Sequence, residues 1–239
     1  MRHIAPDVYL LEGLRGSNIY FLNSKDGYVL IDSGIPNQTN RIAAQLQEAG
    51  YDLSQLRAIV LTHGHGDHAG SAAELARCSG AQVMAHCQDV PYIEQTRPLP
   101  FSSWYKRLML RFADRVLFRQ PACKVDQPLE EGDVIEAAGG LRVIHTPGHT
   151  PGSICLYQPE RELLFCGDTI INMNQIKGKE RLRPSPAMIS VDSSQARKSL
   201  GKLAGLSLEV LCFGHGSPIL GGAGKLVTAL IQENPTFSG

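Results

Sequence analysis

The sequence predicts a layered α/β (α+β) fold in which β-sheets lie inside and helices cover them. The N-terminal part carries short apolar runs separated by turn residues such as Lys25-Asp26-Gly27, which is typical of a β-meander. Farther along the chain, short apolar runs mix with segments of helical periodicity. Strands that come first as a meander and then mix with helices indicate sheets packed under helices.

Each predicted strand is a short apolar run bounded by turn residues. The predicted strands cover residues 8–11, 18–22, 28–31, 58–61, 82–85, 134–136, 142–145, 153–157, 163–166 and 210–213. The predicted helices cover residues 38–49, 69–78, 103–118, 192–204 and 223–232. The first helix places Ile42 and Leu46 on one face and ends at Gly50, and Gly80 ends the second. Asp192 followed by Gln195 suits a capping box that opens the fourth.

Length and composition limit the organisation of the chain and the class of its partners. The 239 residues suffice for one large core and no linker divides them, so we expect a single domain over 1–239. Lysine plus arginine and aspartate plus glutamate number 23 each, which argues against a general nucleic-acid binder. We expect a small-molecule substrate, and both a monomer and a homodimer stay open.

Cysteine usage and the N-terminus bear on the compartment. The six cysteines show no CxxC spacing, which favours a reducing compartment over a disulfide scaffold. The N-terminal residues lack the apolar core of a signal peptide, and no apolar run approaches about 20 residues. We therefore expect a cytoplasmic protein without stable membrane insertion.

Four metal-ligand side chains occur within six residues, directly after the predicted strand 58–61. Imidazole and carboxylate together suit Zn²⁺ and related divalent ions. A strand would alternate these side chains between two faces and a helix would scatter them, so the segment is predicted to be a loop. Gly64 and Gly66 are expected to give this loop its backbone freedom. The four residues are His63, His65, Asp67 and His68.

Three further candidate ligands occupy equivalent positions, each just past a short apolar strand and next to a glycine. They are His149, Asp168 and His215. Loops at one end of a sheet can bring such residues together on a rigid scaffold. Five histidines and two aspartates suit two metal ions about 3.5–4 Å apart that share a carboxylate and a water. Two cations make hydroxide available from that water at neutral pH, and the hydroxide attacks a carbonyl or phosphoryl centre.

At these residues the sequence resembles the metallo-β-lactamase superfamily, and within it the metal-dependent hydrolases of the glyoxalase II-like and lactonase-like group. The matching motifs are Asp32, His63-x-His65-x-Asp67-His68, Thr146-Pro147-Gly148-His149-Thr150, Gly167-Asp168-Thr169 and Gly214-His215-Gly216. They occur in the family's order and span most of the chain. The resemblance implies an αββα sandwich of two mainly antiparallel, mixed sheets flanked by helices, with the metals in a cleft at one edge.

The resemblance also implies a role for each motif residue. His63, His65 and His149 would hold the first metal, and Asp67, His68 and His215 the second. Asp168 would bridge the two ions, and Asp67 and Asp168 are the carboxylates expected to take part in catalysis. Asp32 matches a family position that orients a ligand or its loop. We expect two divalent ions, zinc first, with iron and manganese as alternatives.

The family does not determine the reaction, so several functions stay open. The favoured one is a metal-dependent hydrolase that uses a hydroxide shared by two metals to cleave an ester, thioester or lactone carbonyl. The first alternative is an oxidoreductase similar to persulfide dioxygenases, which hold one iron at positions matching His63, His149 and Asp168. The second is a metal-binding regulator without turnover. A metal count separates the first two, since a single iron favours dioxygenation.

The segment at about 91–128 is predicted to be a helical insertion that selects the substrate. Arg107, Arg111, Arg115 and Arg119 recur every four residues, which makes a basic amphipathic helix. Its apolar face either packs on a sheet edge, covers the metal cleft as a flap, or rests on a membrane surface. If it covers the cleft, the pocket is lined by Trp104, Tyr105, Leu108, Met109 and Phe112.

Overall fold

The computed structural model describes residues 1–24, 26–101, 120–173 and 181–234. Its larger sheet contains seven strands that are paired in chain order. Strands β1 to β4 pair antiparallel, whereas β4 to β7 pair parallel. The strands are β1 (Arg2–Ala5), β2 (Val8–Leu11), β3 (Ile19–Ser24), β4 (Gly27–Ile31), β5 (Leu56–Leu61), β6 (Gln82–His86) and β7 (Gln127–Leu129).

A second sheet has the strand order β14-β11-β10-β9-β8, and a two-stranded ribbon joins β12 to β13. Within the second sheet only the β11–β14 pair is parallel. These strands are β8 (Val134–Ile135), β9 (Leu141–His145), β10 (Ile154–Gln158), β11 (Leu163–Phe165), β12 (Ile170–Asn172), β13 (Leu182–Pro184) and β14 (Val210–Cys212). The described α-helices are α1 (Thr39–Glu48), α2 (Ala72–Ser79), α3 (Val90–Ile93), α4 (Ser193–Leu200) and α5 (Ala223–Glu233).

Three buried clusters show that these elements stack in four layers. The central cluster joins Val29 of the larger sheet to Val143 of the second sheet, so the two sheets face each other. A second cluster packs the other face of the larger sheet against α1 and α2. It contains Leu30 of β4 and Ile42 of α1. A third packs the outer face of the second sheet against α4 and α5. The order is therefore helix, sheet, sheet, helix.

The apolar runs of the central strands follow from this layering. All four residues Tyr28-Val29-Leu30-Ile31 of β4 are buried, because one face meets the second sheet and the other meets α1. Strands covered on both faces are continuously apolar rather than alternating. Helix α1 shows the complementary pattern: only Thr39, Ile42 and Leu46 are buried, so a single stripe faces the sheet.

The αββα sandwich predicted from the sequence is confirmed, with two corrections. The larger sheet contains as many parallel as antiparallel pairs, because the later strands are joined by crossover helices rather than hairpins. Strands β1, β7, β12 and β13 and the short helix α3 were not predicted. Strands β1 and β7 form the edges of the larger sheet. Strand β7 contains Pro128, and a proline within a short run argues against a strand when only the sequence is considered.

Most predicted boundaries agree with the structure to within three residues. The helix predicted over 69–78 begins only at Ala72, and the one over 192–204 is α-helical to Leu200 and continues as a 3₁₀ turn, Gly201–Leu203. The helix predicted over 103–118 lies outside the described residues. The single domain over 1–239 with an insertion at 91–128 stays a prediction. Within the described ranges, no helix has both the length and the apolar character needed to cross a bilayer.

Candidate metal centre

The predicted ligands lie where strands of the two sheets end. Parallel strands β4 and β5 are followed by Asp32 and by the loop that begins at Thr62. Parallel strands β11 and β14 are followed by the segments that carry Asp168 and His215. The amide of Ile154 in the second sheet donates at 2.9 Å to the carbonyl of Thr62, which directly follows β5 of the larger sheet. The carboxyl ends of these strands therefore meet at one edge of the sandwich.

The loop after β5 turns back on itself, and the amide of His68 donates to the carbonyl of His65 at 3.0 Å. Neither Gly64 nor Gly66 adopts a positive φ, so the backbone freedom expected of these glycines is not used for a left-handed turn. A side chain at position 64 would be crowded by helix α3, because a Cβ atom there would lie 3.2 Å from Ile93 Cγ1. The loop is thus shaped by its packing against α3.

The seven predicted ligand side chains converge in three overlapping groups, and within each group the donor atoms lie within 4.8 Å of one another. We name two of them the first triad and the second triad. The first triad is His63, His65 and His149, the second is Asp67, His68 and His215, and the remaining group is His63, His68 and Asp168.

Asp168 lies between the two triads. Its Oδ1 atom is 3.4 Å from His68 Nε2. Its Oδ2 atom is 3.5 Å from His215 Nε2 and 3.7 Å from His149 Nε2. One carboxylate therefore faces imidazoles of both triads, which is the placement that a bridging ligand requires.

Two observations test whether these residues fit a metal. Within the described part of the chain, His65 Nε2 is buried without a hydrogen-bond partner, and the buried Asp168 Oδ1 has only the long 3.4 Å contact to His68 Nε2. Burying such atoms unpaired costs free energy, so a ligand is needed to compensate them. In addition, His149 Nε2 lies 3.1 Å from His63 Nε2, and His68 Nε2 lies 3.3 Å from His215 Nε2. Imidazole nitrogens facing each other at these distances are the donor set of a divalent cation. The residues fit.

Gly214 allows the second triad to approach Asp168. A Cβ atom at this position would lie 2.3 Å from Asp168 Oδ1 and 2.5 Å from His68 Cε1. Any side chain here would displace the ligands themselves. This contact explains why a glycine precedes His215.

Asp32, predicted to orient a ligand, does so through His68. Its Oδ2 atom is 2.8 Å from His68 Nδ1, and its carboxylate also accepts from the Thr62 amide at 2.8 Å. The Nδ1–H of His68 is donated to the carboxylate, which leaves the Nε2 lone pair pointing into the centre. Asp32 itself is buried and has a left-handed φ of 62°.

His149 has a corresponding partner that the sequence analysis missed. Ser185 Oγ lies 2.6 Å from His149 Nδ1 and 2.9 Å from Ser190 Oγ, which in turn donates to the Pro186 carbonyl at 2.8 Å. Because Ser190 donates to a carbonyl, the chain runs in one direction: His149 donates to Ser185, and Ser185 donates to Ser190. Nε2 of His149 is then the unprotonated nitrogen. No local motif marks Ser185, since it follows β13 and reaches His149 only through the fold.

Burial sets the charge of the first triad. It lowers the pKa of His63 and of His65, and it lowers the pKa of His149 to about 3. These imidazoles are therefore neutral at pH 7, which is the form that binds metal.

The second triad is controlled by carboxylates. Burial acts to lower the pKa of His68, but Asp32 and Asp168 outweigh it and raise the pKa well above its ordinary value. Burial likewise acts to lower the pKa of His215, and Asp168 and Asp67 raise it. For Asp168, burial acts to raise the pKa, yet His68 and His215 hold it below its usual range. A cation binding here would replace protons on these imidazoles.

The structure thus brings together Asp32 and all seven residues predicted as ligands. The predicted pocket residues Trp104, Tyr105, Leu108, Met109 and Phe112 lie outside the described residues. His145 is not in the cluster: its ring stacks on His86 at 3.8 Å between centroids, and its Nε2 is 2.8 Å from the Pro151 carbonyl. Like Ser185, Asp89 was not predicted from the sequence; it is a buried carboxylate beside both loops of the first triad.

Comparison with known proteins agrees with this geometry. A family model described as the metallo-beta-lactamase superfamily matches residues 13–215, a span that contains every residue of both triads. The chain belongs to the metallo-beta-lactamase superfamily. The predicted resemblance is therefore confirmed, and membership of this superfamily supports hydrolase activity and implies divalent metal ions.

The proteins that this chain resembles carry the names of different hydrolases. The chain is 32% identical over 217 residues to a probable metallo-hydrolase, YflN, of Bacillus subtilis (strain 168), covering 86% of this chain and 82% of that protein. It is 26% identical over 161 residues to the atrochrysone carboxyl ACP thioesterase dmxR1 of Cryptosporiopsis sp. (strain 8999), covering 66% of this chain but 39% of that protein. Among solved structures, BJP-1, a subclass B3 metallo-beta-lactamase of Bradyrhizobium japonicum, aligns with a TM-score of 0.71 at 24% identity over 98% of this chain and 89% of that one, which shows the shared fold.

Proposed function

We propose that the protein is a dinuclear metallo-hydrolase that cleaves the carbonyl bond of an ester, thioester or lactone. The observation that carries the proposal is the position of Asp168. Its carboxylate faces His68 and His215 on one side and His149 on the other, at 3.4 to 3.7 Å. A buried carboxylate shared by two nitrogen-rich donor sets suits two ions that act on one substrate.

In this proposal the first triad and the second triad each hold one ion, and Asp168 contributes to both. The ions are expected to be zinc, because the donors are mainly imidazole with few carboxylates. Bound divalent ions supply a hydroxide at neutral pH and polarise the substrate carbonyl. All other steps depend on the side chains of the chain itself.

Asp32 and Ser185 prepare the imidazoles. Each accepts the Nδ1–H of one histidine, His68 and His149 respectively, and so keeps the Nε2 lone pair directed inward. Fixed ring orientation matters because a preorganised centre need not rearrange as the reaction proceeds.

Among the ligands, the partly exposed side chains are those of Asp67 and His215 in the second triad and His65 in the first. The side chains of Asp67 and His215 are 26% and 23% exposed, whereas those of His68 and His149 are almost fully buried. Asp67 Oδ2 lies 3.2 Å from His215 Nε2. In this proposal a substrate reaches the centre at these partly exposed side chains, and the Asp67 carboxylate orients the attacking water.

The choice of a carbonyl substrate rests on the relatives and on the site together. The thioesterase relative acts on an acyl–carrier-protein thioester, as its name states, and shares 161 aligned residues with this chain. A thiolate is a good leaving group and needs no strong general acid. No side chain in the described part of the centre stands out as such an acid, which suits an activated acyl substrate.

The test is a substrate panel combined with metal analysis. The panel contains p-nitrophenyl esters, acyl thioesters, lactones, a β-lactam and a phosphodiester, assayed before and after chelation. We expect two equivalents of zinc per chain and turnover of at least one carbonyl substrate that chelation and His65→Ala both abolish. His3→Ala, a histidine exchange on the exposed edge of the larger sheet, serves as the matched control.

Three results would overturn the proposal. A single equivalent of iron per chain would point to the dioxygenase alternative. Activity that survives both chelation and His65→Ala would place the reaction elsewhere. Full metal loading with no turnover of any carbonyl substrate would favour the regulator without catalysis.

A further inference from the structure

Asp89 is a buried carboxylate whose position the metal centre described above does not explain. It follows β6, at the start of helix α3, and is fully buried. Its side chain makes no capping hydrogen bond to that helix. Within residues 1–24, 26–101, 120–173 and 181–234, no ion pair with a lysine, arginine or histidine involves it. An unpaired carboxylate in such a place is costly unless its oxygens accept hydrogen bonds.

Both oxygens of Asp89 accept such bonds, and all of them come from the loops of the first triad. Oδ2 accepts from the Gly64 amide at 2.8 Å and from the Thr150 hydroxyl at 2.6 Å. Oδ1 accepts from the Gly152 amide at 2.6 Å. Burial raises the pKa of Asp89 to about 6, so the carboxylate is ionised at neutral pH and accepts all three.

The residues that donate to Asp89 are neighbours in sequence of the three histidines of the first triad. Gly64 lies between His63 and His65, and Thr150 directly follows His149. The first loop extends from β5 of the larger sheet, and the second extends from β9 of the second sheet. One carboxylate thus joins the two sheets at the point where their imidazoles must converge.

The packing around Asp89 leaves little freedom for the second loop. A Cβ atom at Gly152 would lie 2.6 Å from the Asp89 nitrogen and 2.7 Å from its Cβ. Ser153 Oγ accepts from the Thr150 amide at 2.9 Å and holds the same turn from the other side. The loop that carries His149 is therefore seated directly on Asp89.

The second triad is held by different residues. Asp32 bonds to His68, and the side chain of Asn18 donates to the carbonyls of Phe213 and Gly216 on either side of His215, at 3.0 and 2.7 Å. None of the hydrogen bonds of the Asp89 side chain reaches this triad. Asp89 thus bonds only to the loops of the first triad, whereas Asp32 bonds to His68 and, through Thr62, also approaches His63.

We propose that Asp89 is a positioning residue for the first of the two metal sites, because its carboxylate holds the His63–His65 loop against the His149 loop. This inference rests on the proposed function in one respect, namely that the first triad binds a metal. It predicts an asymmetric effect: loss of the carboxylate weakens the first site and spares the second.

The experiment titrates metal-free protein with Co²⁺ and follows the absorption bands of each site, with His149→Ala and His215→Ala as references for one-site loss. Asp89→Asn presents an amide donor where Gly64, Thr150 or Gly152 already donates, so it cannot satisfy all three. We expect about 10–100-fold weaker binding at the first site, the range for partners that orient metal ligands. Binding at the second site should change less than about threefold. Asp52→Asn, a capping aspartate on the exposed surface, is the matched control.

If Asp89→Asn does not fold, a second pair of variants at Thr150 tests the same hydrogen bond. Thr150→Val removes the hydroxyl that bonds to Asp89 and conserves the shape, while Thr150→Ser retains the hydroxyl. The valine variant should lose first-site affinity and the serine variant should recover most of it.

The outcomes separate this inference from the proposed function. If the wild type binds two ions and both Asp89→Asn and Thr150→Val bind them with unchanged affinities, or weaken both sites equally, Asp89 is not a positioning residue and the hydrolase proposal stands. If the wild type binds two ions and hydrolyses nothing, the hydrolase proposal fails while the affinities still decide the role of Asp89. A wild type that binds a single ion overturns the dinuclear proposal, and it overturns the role of Asp89 as well if that ion does not bind at the first triad.

Discussion

The carboxylate of Asp32 lies 2.8 Å from Nδ1 of His68, and both side chains are buried. Asp32 reaches this position with a φ of 62°, a left-handed conformation that ordinary residues rarely adopt. Local backbone strain of this kind persists where the surrounding structure holds it, and it clusters at functional sites. The relationship makes Asp32 the support of the second triad.

Asp32→Asn should therefore weaken metal binding at the second triad by about 10–100-fold and at the first triad by a smaller factor, transmitted through Thr62, whose hydroxyl bonds to Asp32 and lies 3.2 Å from His63 Nδ1. Asparagine tolerates left-handed φ, so the backbone is preserved and only the charged acceptor is lost. Co²⁺ titration of metal-free protein measures both sites. Asp7→Asn is the control, because Asp7 also has a positive φ, of 59°, but lies on the surface. Equal weakening of both sites would contradict the assignment.

Ser185→Ala should lower metal affinity at the first triad by about tenfold, the lower end of the range for such partners. Without the hydroxyl, His149 loses the acceptor at 2.6 Å that keeps its proton on Nδ1. Nitrogen-15 NMR of the histidine side chains in metal-free protein should show a mixture of His149 tautomers in the variant and one in the wild type. Ser79→Ala, which removes a hydroxyl bonded to a helix carbonyl, provides the comparison. A single unchanged tautomer in Ser185→Ala would show that another group sets the proton.

Gly214→Ala should abolish metal binding at the second triad, because the added Cβ would lie 2.3 Å from Asp168 Oδ1. The overpacking should also cost about 1–3 kcal/mol of the free energy of unfolding. Gly201→Ala is the matched exchange, since a Cβ there meets nothing within 4 Å. Elemental analysis and thermal denaturation give the two readouts. Retention of two ions by Gly214→Ala would show that the loop can shift without loss.

Stability should fall as the pH drops below about 6.5, in part through His86. Burial and the stacked ring of His145 lower the pKa of His86 to about 4, from an ordinary value of 6.5. Between these values the unfolded chain binds a proton that the folded chain does not, so stability is present above 6.5 and is lost toward pH 4. Glu131, Lys202 and Asp133 are the charged groups nearby.

The His86 contribution between pH 7 and pH 5 should be about 2 kcal/mol at most, because neighbouring charges and solvent reduce it. Denaturant unfolding at both pH values, for the wild type and for His86→Asn, measures the contribution of His86 to the free energy of unfolding. The variant should show a smaller difference between the two pH values than the wild type. Identical differences would show that His86 does not titrate in this range.

Trp104→Ala and Phe112→Ala test the sequence prediction that the 91–128 insertion forms the apolar wall of the substrate pocket. Both should raise KM and change the preference among acyl chain lengths, because a pocket binds acyl chains through apolar contact. The metal content should stay at the wild-type value. Wild-type kinetics combined with a lower Tm would show instead that these residues only stabilise the fold.

The sequence by itself predicted sheets packed under helices and the candidate ligands, and the four-layer order was implied by the family resemblance. The apolar runs 28–31 of β4 and 58–61 of β5 are continuous because both faces of those strands are covered, and that pattern can be read without coordinates. The cluster from His63 to His68 is equally visible, since its ligands are local in sequence. Edge strands β1 and β7 escaped prediction because they pack on fewer neighbours and need no strong apolar pattern.

Beyond Asp32, only the tertiary structure decided which residues contact the ligands and their loops. Ser185 lies 36 residues from His149, and Asp89 lies 25 residues from Gly64 and 61 from Thr150. Serine and aspartate are common surface residues, so neither carries a local signal of its role. A metal-ligand motif is recognisable because several scarce donor types must occur close together, whereas a single hydrogen-bond acceptor can come from any part of the chain that the fold brings within 3 Å.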